Sequence, residues 1–150
     1  MTSIRLLFAL LLTEISFNAK ALETGQTIRL INNNKSVITV NSSLDENKPA
    51  VLWKETNVNS QRWTLEAKSN GTFLLSNDYT GLYLAGLTSG TSGRVGQLKK
   101  STTTSKGSWE FVPVEGTSDR YYIYQGTTRK YALAVPATRK EGDTLTIVNT

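Results

Sequence analysis

The chain has 150 residues, with 17 lysines and arginines against 12 aspartates and glutamates, no cysteine and no histidine. A chain without cysteine has no disulfides, so packing and backbone pairing must stabilise it. The usual zinc ligands, the commonest general base and most nucleophile dyads are also missing. We therefore expect no enzyme, no metal site and no cofactor.

The first 21 residues are predicted to be a secretory signal peptide. Arg5 provides a positive start, an unbroken apolar run covers 6–12, and Ala19 and Ala21 are the small residues that a signal peptidase requires. The apolar run is far shorter than the roughly 20 residues of a membrane-spanning helix. We expect cleavage after Ala21, a secreted protein without a membrane span, and one domain over 22–150.

The remainder of the chain has the pattern of strands and turns. Ten short runs, the first at 27–31 and the last at 145–148, are rich in β-branched and aromatic residues, and Gly- and Asn-rich turns separate them. After the leader, no stretch of the sequence carries helical periodicity over two or more turns. The sequence predicts an all-β domain.

The predicted strands recur in three copies. Trp63 closes one apolar run, and Trp109 closes the next in the same way, 46 residues later. The run at 27–30 returns at 72–75 and again at 121–124. Self-similarity at such a period indicates one repeated unit, here of about four strands. The equivalent positions of the three copies are predicted to be Ile28, Phe73 and Tyr122.

The third copy is shorter than the other two. After the run at 145–148 only two residues remain, whereas copies one and two continue for about ten residues to their tryptophan. The last strand is missing, and an open barrel would expose unpaired backbone groups. We expect either a truncated form of a longer product, or a gap filled by a rearranged terminus or by a partner's strand, including that of a homo-oligomer.

The tripeptide Gln61-Arg62-Trp63, placed in this threefold repeat, resembles the Gln-x-Trp signature of the ricin-B-type β-trefoil lectins, including their cysteine-free forms. The resemblance covers 26–150 and is strongest from Val51-Leu52-Trp53 to the tripeptide. It implies a β-trefoil of three four-stranded copies, whose first and fourth strands form a six-stranded barrel capped by the middle hairpins. It also implies non-catalytic binding of extracellular glycans or glycoproteins.

The signature has a structural reason. A tryptophan on a barrel strand buries about 150–250 Å² while its indole N–H reaches a backbone carbonyl. The glutamine amide can form hydrogen bonds across a loop. We therefore predict that Trp63 and Trp109 are structural anchors of the repeat in the core and do not contact sugar.

The resemblance implies a sugar site built from an Asp near the end of a copy's second strand, an aromatic near the end of the third, and an amide before the tryptophan. Carboxylate and amide groups bind paired hydroxyls, and the ring stacks on the apolar face of the sugar. In no copy is the acid present, so the sites are degenerate. The three sets of positions hold Thr39, Trp53, Ser60 and Gln61 in copy one, Ala85, Lys99 and Gly107 in copy two, and Ala134 and Val148 in copy three.

Copy one is the best candidate for carbohydrate binding. We expect Trp53 to be the stacking ring and Thr39, Asn59 and Gln61 to be its hydrogen-bonding partners. Asp45, in the loop between the second and third strands, could replace the lost carboxylate. It is equally open that Trp53 only packs the hairpin against the barrel.

Two other functions stay open. The loss of the acids favours a protein-binding trefoil, such as a protease inhibitor. Without the leader's Arg5, Glu14 and Lys20 the chain keeps 15 basic and 11 acidic residues. This modest, spread-out excess is typical of ordinary solvated loops, and it also leaves open a surface that binds an anionic polysaccharide. We expect no nucleic-acid partner. The basic segments contain Lys99, Lys100 and Lys106, and Arg129 and Lys130.

Three triplets fit the N-glycosylation rule, at Asn34, Asn41 and Asn70. All three lie in predicted turns or at strand ends, where an acceptor must be. We expect modification if the source is a eukaryote, and the mass of the secreted protein tests this.

Overall fold

The computed structural model describes residues 2–6, 21–40, 43–87, 93–135 and 140–150. Its strands are β1 (Thr2–Leu6), β2 (Thr27–Asn32), β3 (Ser36–Thr39), β4 (Val51–Lys54), β5 (Trp63–Ala67), β6 (Phe73–Asn77), β7 (Tyr83–Gly86), β8 (Val95–Leu98), β9 (Trp109–Pro113), β10 (Arg120–Gln125), β11 (Tyr131–Ala134) and β12 (Thr146–Asn149). The helices are α1 (Lys100–Thr103) and two 3-10 helices, Asn59–Gln61 and Thr104–Gly107. None of these helices in the described ranges has the length and apolar character needed to cross a membrane.

The strands after β1 form three similar copies. Copy one consists of β2 to β5, copy two of β6 to β9 and copy three of β10 to β12. In each copy the second and third strands pair as an antiparallel hairpin, β3 with β4, β7 with β8 and β11 with β12. The predicted all-β, threefold organisation is confirmed.

Six strands close into a ring. β2 pairs with β5, β5 with β6, β6 with β9 and β9 with β10, and all four pairs are antiparallel. β1 completes the ring because it pairs with both β10 and β2, in parallel with each. The barrel therefore consists of the first strands of the three copies, the fourth strands of copies one and two, and β1. The three hairpins cap it, and the fold is a β-trefoil.

β1 stands where copy three has no fourth strand of its own within the described residues. A rearranged terminus was one of the ways expected to fill this gap, and the structure has that arrangement. Ile4 is fully buried in the core and lies opposite Leu30 of β2. Because β1 belongs to the predicted signal peptide, this closure describes the uncleaved chain.

The register of the strands corrects one detail of the predicted repeat. Asn77 on β6 and Gln125 on β10 each lie opposite the tryptophan of the preceding copy. Counting back four residues makes Phe73 equivalent to Tyr121, so the prediction of Tyr122 was wrong by one position. Adjacent strand residues face opposite sides, and it is Tyr121 that is buried.

The two signature tryptophans connect the barrel to its caps. Trp63 and Trp109 are fully buried. The indole N–H of Trp63 donates to the carbonyl of Ile38 at 3.1 Å, and that of Trp109 donates to the carbonyl of Leu84 at 2.8 Å. Both carbonyls lie on the second strand of the same copy, 25 residues earlier. Each indole therefore holds a fourth strand against its own hairpin.

Candidate functional site

Trp53 lies half-buried on the outer side of the β3–β4 hairpin. Alternation along β4 turns Leu52 into the core and Trp53 to the other face. A turn of copy three packs beside it, since the Gly142 N–H donates to the Leu52 carbonyl at 2.7 Å and the Leu52 N–H donates to the Asp143 carbonyl at 2.9 Å. A side chain added at Gly142 would meet the Trp53 ring at 4.0 Å, so bare backbone lies next to the ring.

A carboxylate from copy three also reaches this place. Glu141 Oε1 accepts the backbone N–H of Lys54, the residue after Trp53, at 3.1 Å. An aromatic ring and a carboxylate are two of the groups that the resemblance requires of a sugar site, and copy one lacks the acid. Sequence reasoning missed Glu141 because 87 residues separate it from Lys54 and no motif connects them.

Gln61 is buried, and both ends of its amide are used within the fold. Its Nε2 donates to the Lys54 carbonyl at 2.8 Å, and its Oε1 accepts the Thr56 N–H at 2.9 Å. The amide thus bridges the loop after β4, as the signature glutamine was predicted to do. Gln61 orients the segment that follows Trp53 and does not present its amide to solvent.

Thr39 also lies in the interior. Its hydroxyl donates to the Ser60 carbonyl at 3.0 Å, and the Asn77 amide donates to the same carbonyl at 2.9 Å. Thr39 is 3% exposed, so its hydroxyl stabilises the turn before Trp63 and faces no open surface.

Asn59 belongs to an exposed polar surface after β4. Its Oδ1 accepts from Arg62 Nη1 at 3.3 Å. Arg62 Nη2 donates to the carbonyl and the Oδ1 of Asn57, at 3.2 and 2.9 Å. Asn57 has a φ of 56°, a conformation that asparagine tolerates better than most residues. The guanidinium therefore holds two asparagines in place, both exposed.

Asp45 lies in the loop that joins β3 to β4, at the end of the hairpin away from Trp53. The loop is bound to copy two, because Gln97 Nε2 donates to the carbonyls of Ser43 and Asp45 at 2.7 and 2.8 Å. The Asp45 carboxylate is exposed and lies 3.9 Å from Lys48 Nζ. The structure thus brings Glu141, and not Asp45, next to the β4 residue that follows Trp53.

Carboxylates from other parts of the chain pair with three side chains of the basic segments. The hydrogen bond to Glu66 raises the pKa of Lys100, and the hydrogen bond to Glu110 raises that of Arg129. Such neutralising partners weaken the field that a polyanion would sense. The ion pairs join Lys99 to Glu46 at 3.5 Å, Lys100 to Glu66 at 2.6 Å and Arg129 to Glu110 at 2.8 Å.

Two of the three predicted glycosylation sites are described by the structure. Asn34 and Asn70 are exposed in turns, and Asn70 Oδ1 accepts the hydroxyl of Thr72, the third residue of its triplet, at 2.6 Å. Asn41 lies outside the described residues. Among the residues that are described, no group of three acidic side chains is placed to hold a metal ion.

Compared by sequence, the chain matches no protein-family model and no curated protein. Compared by structure, it is similar to the Macrolepiota procera ricin B-like lectin in complex with lactose, with a TM-score of 0.71, 19% identity and coverage of 87% of this chain and 91% of the lectin. It is also similar to the Rhizoctonia solani agglutinin, with a TM-score of 0.72, 15% identity and coverage of 88% and 91%.

A designed threefold-symmetric protein, ThreeFoil, matches as well, with a TM-score of 0.69, 17% identity and coverage of 77% of this chain and 83% of the design. At identities this low the similarity concerns the fold alone. That fold is a β-trefoil, which this chain shares with the two lectins and the design. The binding activity of the chain must be argued from its own residues.

Proposed function

We propose that the protein is a secreted, non-catalytic glycan-binding β-trefoil whose binding surface lies on copy one around Trp53. Two observations carry the proposal: the Gly142 backbone lies beside the half-buried Trp53 ring, and the Glu141 carboxylate binds the backbone N–H of the next residue, Lys54. The ring would stack on the apolar face of a sugar, and the carboxylate would accept hydrogen bonds from its hydroxyls.

The composition and the fold support this proposal. The chain has no histidine or cysteine to act as base or nucleophile. The Macrolepiota procera lectin, whose fold it shares, is known in complex with lactose. One small site of this kind binds weakly, and presentation of several copies on a surface would strengthen binding through avidity.

A glycan array followed by titration calorimetry tests the proposal. Trp53→Ala is expected to remove detectable binding, and Glu141→Gln to weaken it about tenfold, which corresponds to about 1.4 kcal/mol. Trp53→Phe keeps an aromatic ring and should retain part of the affinity. Tyr79→Ala, which removes an exposed ring in another loop, is the control and should bind like the parent. Glycan binding that survives both Trp53→Ala and Glu141→Gln would contradict this site.

A protein-binding function is the second candidate, and exposed apolar side chains favour it. Leu44, Val58 and Tyr79 are 65%, 46% and 49% exposed and lie in three different loops. An apolar side chain that is exposed in a loop gains burial when a partner protein covers it. A protease-inhibition panel run beside the glycan array separates the two functions, because inhibition lost with Leu44→Ser and kept with Trp53→Ala would favour the second.

A further inference from the structure

The barrel ring has three thirds, and in each of them one strand lies between the first strand of one copy and the first strand of the next. In the third between β10 and β2, the described residues of copy three provide no fourth strand. We call this place the junction. In each third, one residue of the strand in between pairs with a residue of the first strand on either side of it. The three sets are Trp63 with Ile28 and Asn77, Trp109 with Phe73 and Gln125, and Leu6 with Tyr121 and Asn32. Leu6 of β1 thus stands at the register of a third signature tryptophan.

β1 fills this place in the reverse direction. β5 and β9 run antiparallel to the first strands beside them, whereas β1 is parallel to both of its neighbours. Ile4 of β1 pairs with Leu30 of β2 in the same way that Leu65 of β5 pairs with Leu75 of β6. β1 therefore fills one core position that a fourth strand fills elsewhere. The turn that precedes a signature tryptophan has no counterpart at this junction in the described part of the chain.

In the other two thirds of the ring, a side-chain amide on the next first strand donates a hydrogen bond to the turn that precedes the tryptophan. Asn77 Nδ2 donates to the Ser60 carbonyl at 2.9 Å, and Gln125 Nε2 donates to the Lys106 carbonyl at 2.8 Å. Each of these carbonyls lies in a 3-10 helix, three residues before a signature tryptophan.

Asn32 is the third member of this set. It is 3% exposed, and its Nδ2 has no hydrogen-bond partner among the described residues. Its Oδ1 accepts the N–H groups of Asn34 and Ser36 at 3.0 and 2.9 Å, which identifies the other end as the donor. A buried amide without an acceptor is costly, so the site is built for an acceptor that β1 does not provide.

A cavity of about 360 Å³ lies beside this donor. It is lined by Asn32, by Asn33 and Lys35 of the β2–β3 turn, by Glu55 after β4 and by Arg120 at the start of β10. In the other two thirds, the 3-10 helices Asn59–Gln61 and Thr104–Gly107 contact β6 and β10. By the same symmetry the third turn would contact β2, where this cavity is.

We propose that the junction is an acceptor site for an extended segment of another polypeptide chain, which takes the place that β1 has in the uncleaved chain. The segment would run antiparallel to β2 and β10, present a turn carbonyl to Asn32 Nδ2, and place a tryptophan three residues later at the register of Leu6. Ile38, Leu84 and Leu133 each come directly after the second-strand residue that pairs with the first strand of the same copy. Leu133 is therefore the copy-three equivalent of the two residues whose carbonyls accept from a signature indole. The indole N–H of the incoming tryptophan would donate to the Leu133 carbonyl. Added strands of this kind bind through main-chain hydrogen bonds and are selected by their side-chain pockets.

The test uses the full chain and a labelled synthetic peptide with the sequence of residues 58–67, which carries the turn and Trp63. Fluorescence anisotropy should show saturable binding, and a peptide with Trp63→Ala should bind at least about tenfold more weakly. In the protein, Asn32→Asp keeps the Oδ1 acceptor and removes the donor, so affinity should fall about tenfold. Asn77→Asp is the matched control and should leave peptide binding unchanged.

A second pair of variants tests displacement of β1. Ile4→Asp should expel β1 from the core and tighten peptide binding about tenfold. If Ile4→Asp does not fold, the milder Ile4→Ala should tighten binding to a smaller extent. Equal binding of the two peptides, or peptide affinity unaffected by Asn32→Asp, would overturn the proposal. Glycan binding near Trp53 is independent of these outcomes.

Discussion

The three tryptophans of this chain have different environments and therefore different roles. Trp63 and Trp109 are fully buried and donate their indole N–H groups to backbone carbonyls. Trp53 is half-buried at the edge of a hairpin. The two buried tryptophans stabilise the barrel, and of the three only Trp53 is placed where its ring can contact a ligand.

Replacing Trp63 with phenylalanine should lower the free energy of unfolding by about 2–4 kcal/mol. The change leaves the buried Ile38 carbonyl without its donor and removes ring volume from the core. Trp53→Phe is the matched control, and we expect it to cost less than about 1 kcal/mol because that ring is partly exposed. Urea unfolding followed by circular dichroism measures both, and equal losses would contradict the assignment of roles.

Glu46 makes the stability of the fold depend on pH. The backbone N–H of Lys99 donates to its carboxylate at 2.7 Å, and this bond, aided by the Lys99 ammonium, lowers the pKa of Glu46. A lowered pKa in the folded state gives a stabilisation that is complete above the ordinary glutamate pKa and is lost as the pH falls through the lowered value.

Glu46→Gln should therefore reduce the loss of stability on acidification. Between about pH 6 and pH 3, the melting temperature of the parent should fall further than that of the variant. Thermal melts at a series of pH values measure the difference. Identical pH profiles would show that the Lys99 bond contributes nothing to stability.

At the scale of elements, the loop between β3 and β4 fastens copy one to copy two. It crosses β8 at Gly96, where an added Cβ would lie 2.2 Å from the Lys48 carbonyl and 2.6 Å from Leu87 Cδ1. The crossing also places Gln97, which is fully buried, under the loop carbonyls that it binds. The close approach of two backbones requires glycine at this position.

Gly96→Ala should destabilise the protein by about 3 kcal/mol or more, since backbone atoms must move to admit the methyl group. Gly81→Ala provides the comparison. Gly81 has a φ of 69° and nothing within 4 Å of an added Cβ, so its cost should be the conformational penalty alone, about 1 kcal/mol. Chemical denaturation of both variants measures the difference, and a Gly96→Ala variant as stable as Gly81→Ala would contradict the close crossing.

For the whole molecule, closure of the ring depends on a strand from outside the three copies. β1 joins β10 to β2 and contributes the fully buried Ile4. A sheet that closes on itself leaves no exposed edge in the barrel. The core of the uncleaved chain is therefore continuous around all six strands.

Ile4→Ala should lower the stability of the uncleaved chain by about 2–4 kcal/mol, the usual cost of such a truncation in a core. Leu44→Ala, at a side chain that is 65% exposed, should cost less than about 0.5 kcal/mol. Equilibrium denaturation of the two variants measures this. A stability unchanged by Ile4→Ala would mean that β1 does not close the barrel.

Much of the fold could be predicted from local patterns. Alternating apolar residues and Gly- or Asn-rich turns indicated the strands, and the recurrence of Trp63 at Trp109 indicated the copies, because burial in a repeated unit leaves the same residue types at the same intervals. The alignment of copy three was off by one because Tyr121, Tyr122 and Tyr124 offer no contrast between the two faces. Only the pairing of β9 with β10 resolved it.

The all-β class, the threefold repeat and the residues that anchor it could be derived from the amino-acid order, since they follow from periodicity within a few dozen residues. Folded coordinates were needed to see that Glu141 reaches the hairpin of Trp53, that Gln61 and Thr39 face inward, and that β1 closes the ring in the reverse direction. These features depend on contacts between copies or with the amino-terminal strand. Side chains brought together across such separations leave no spacing in the sequence from which their meeting could be inferred.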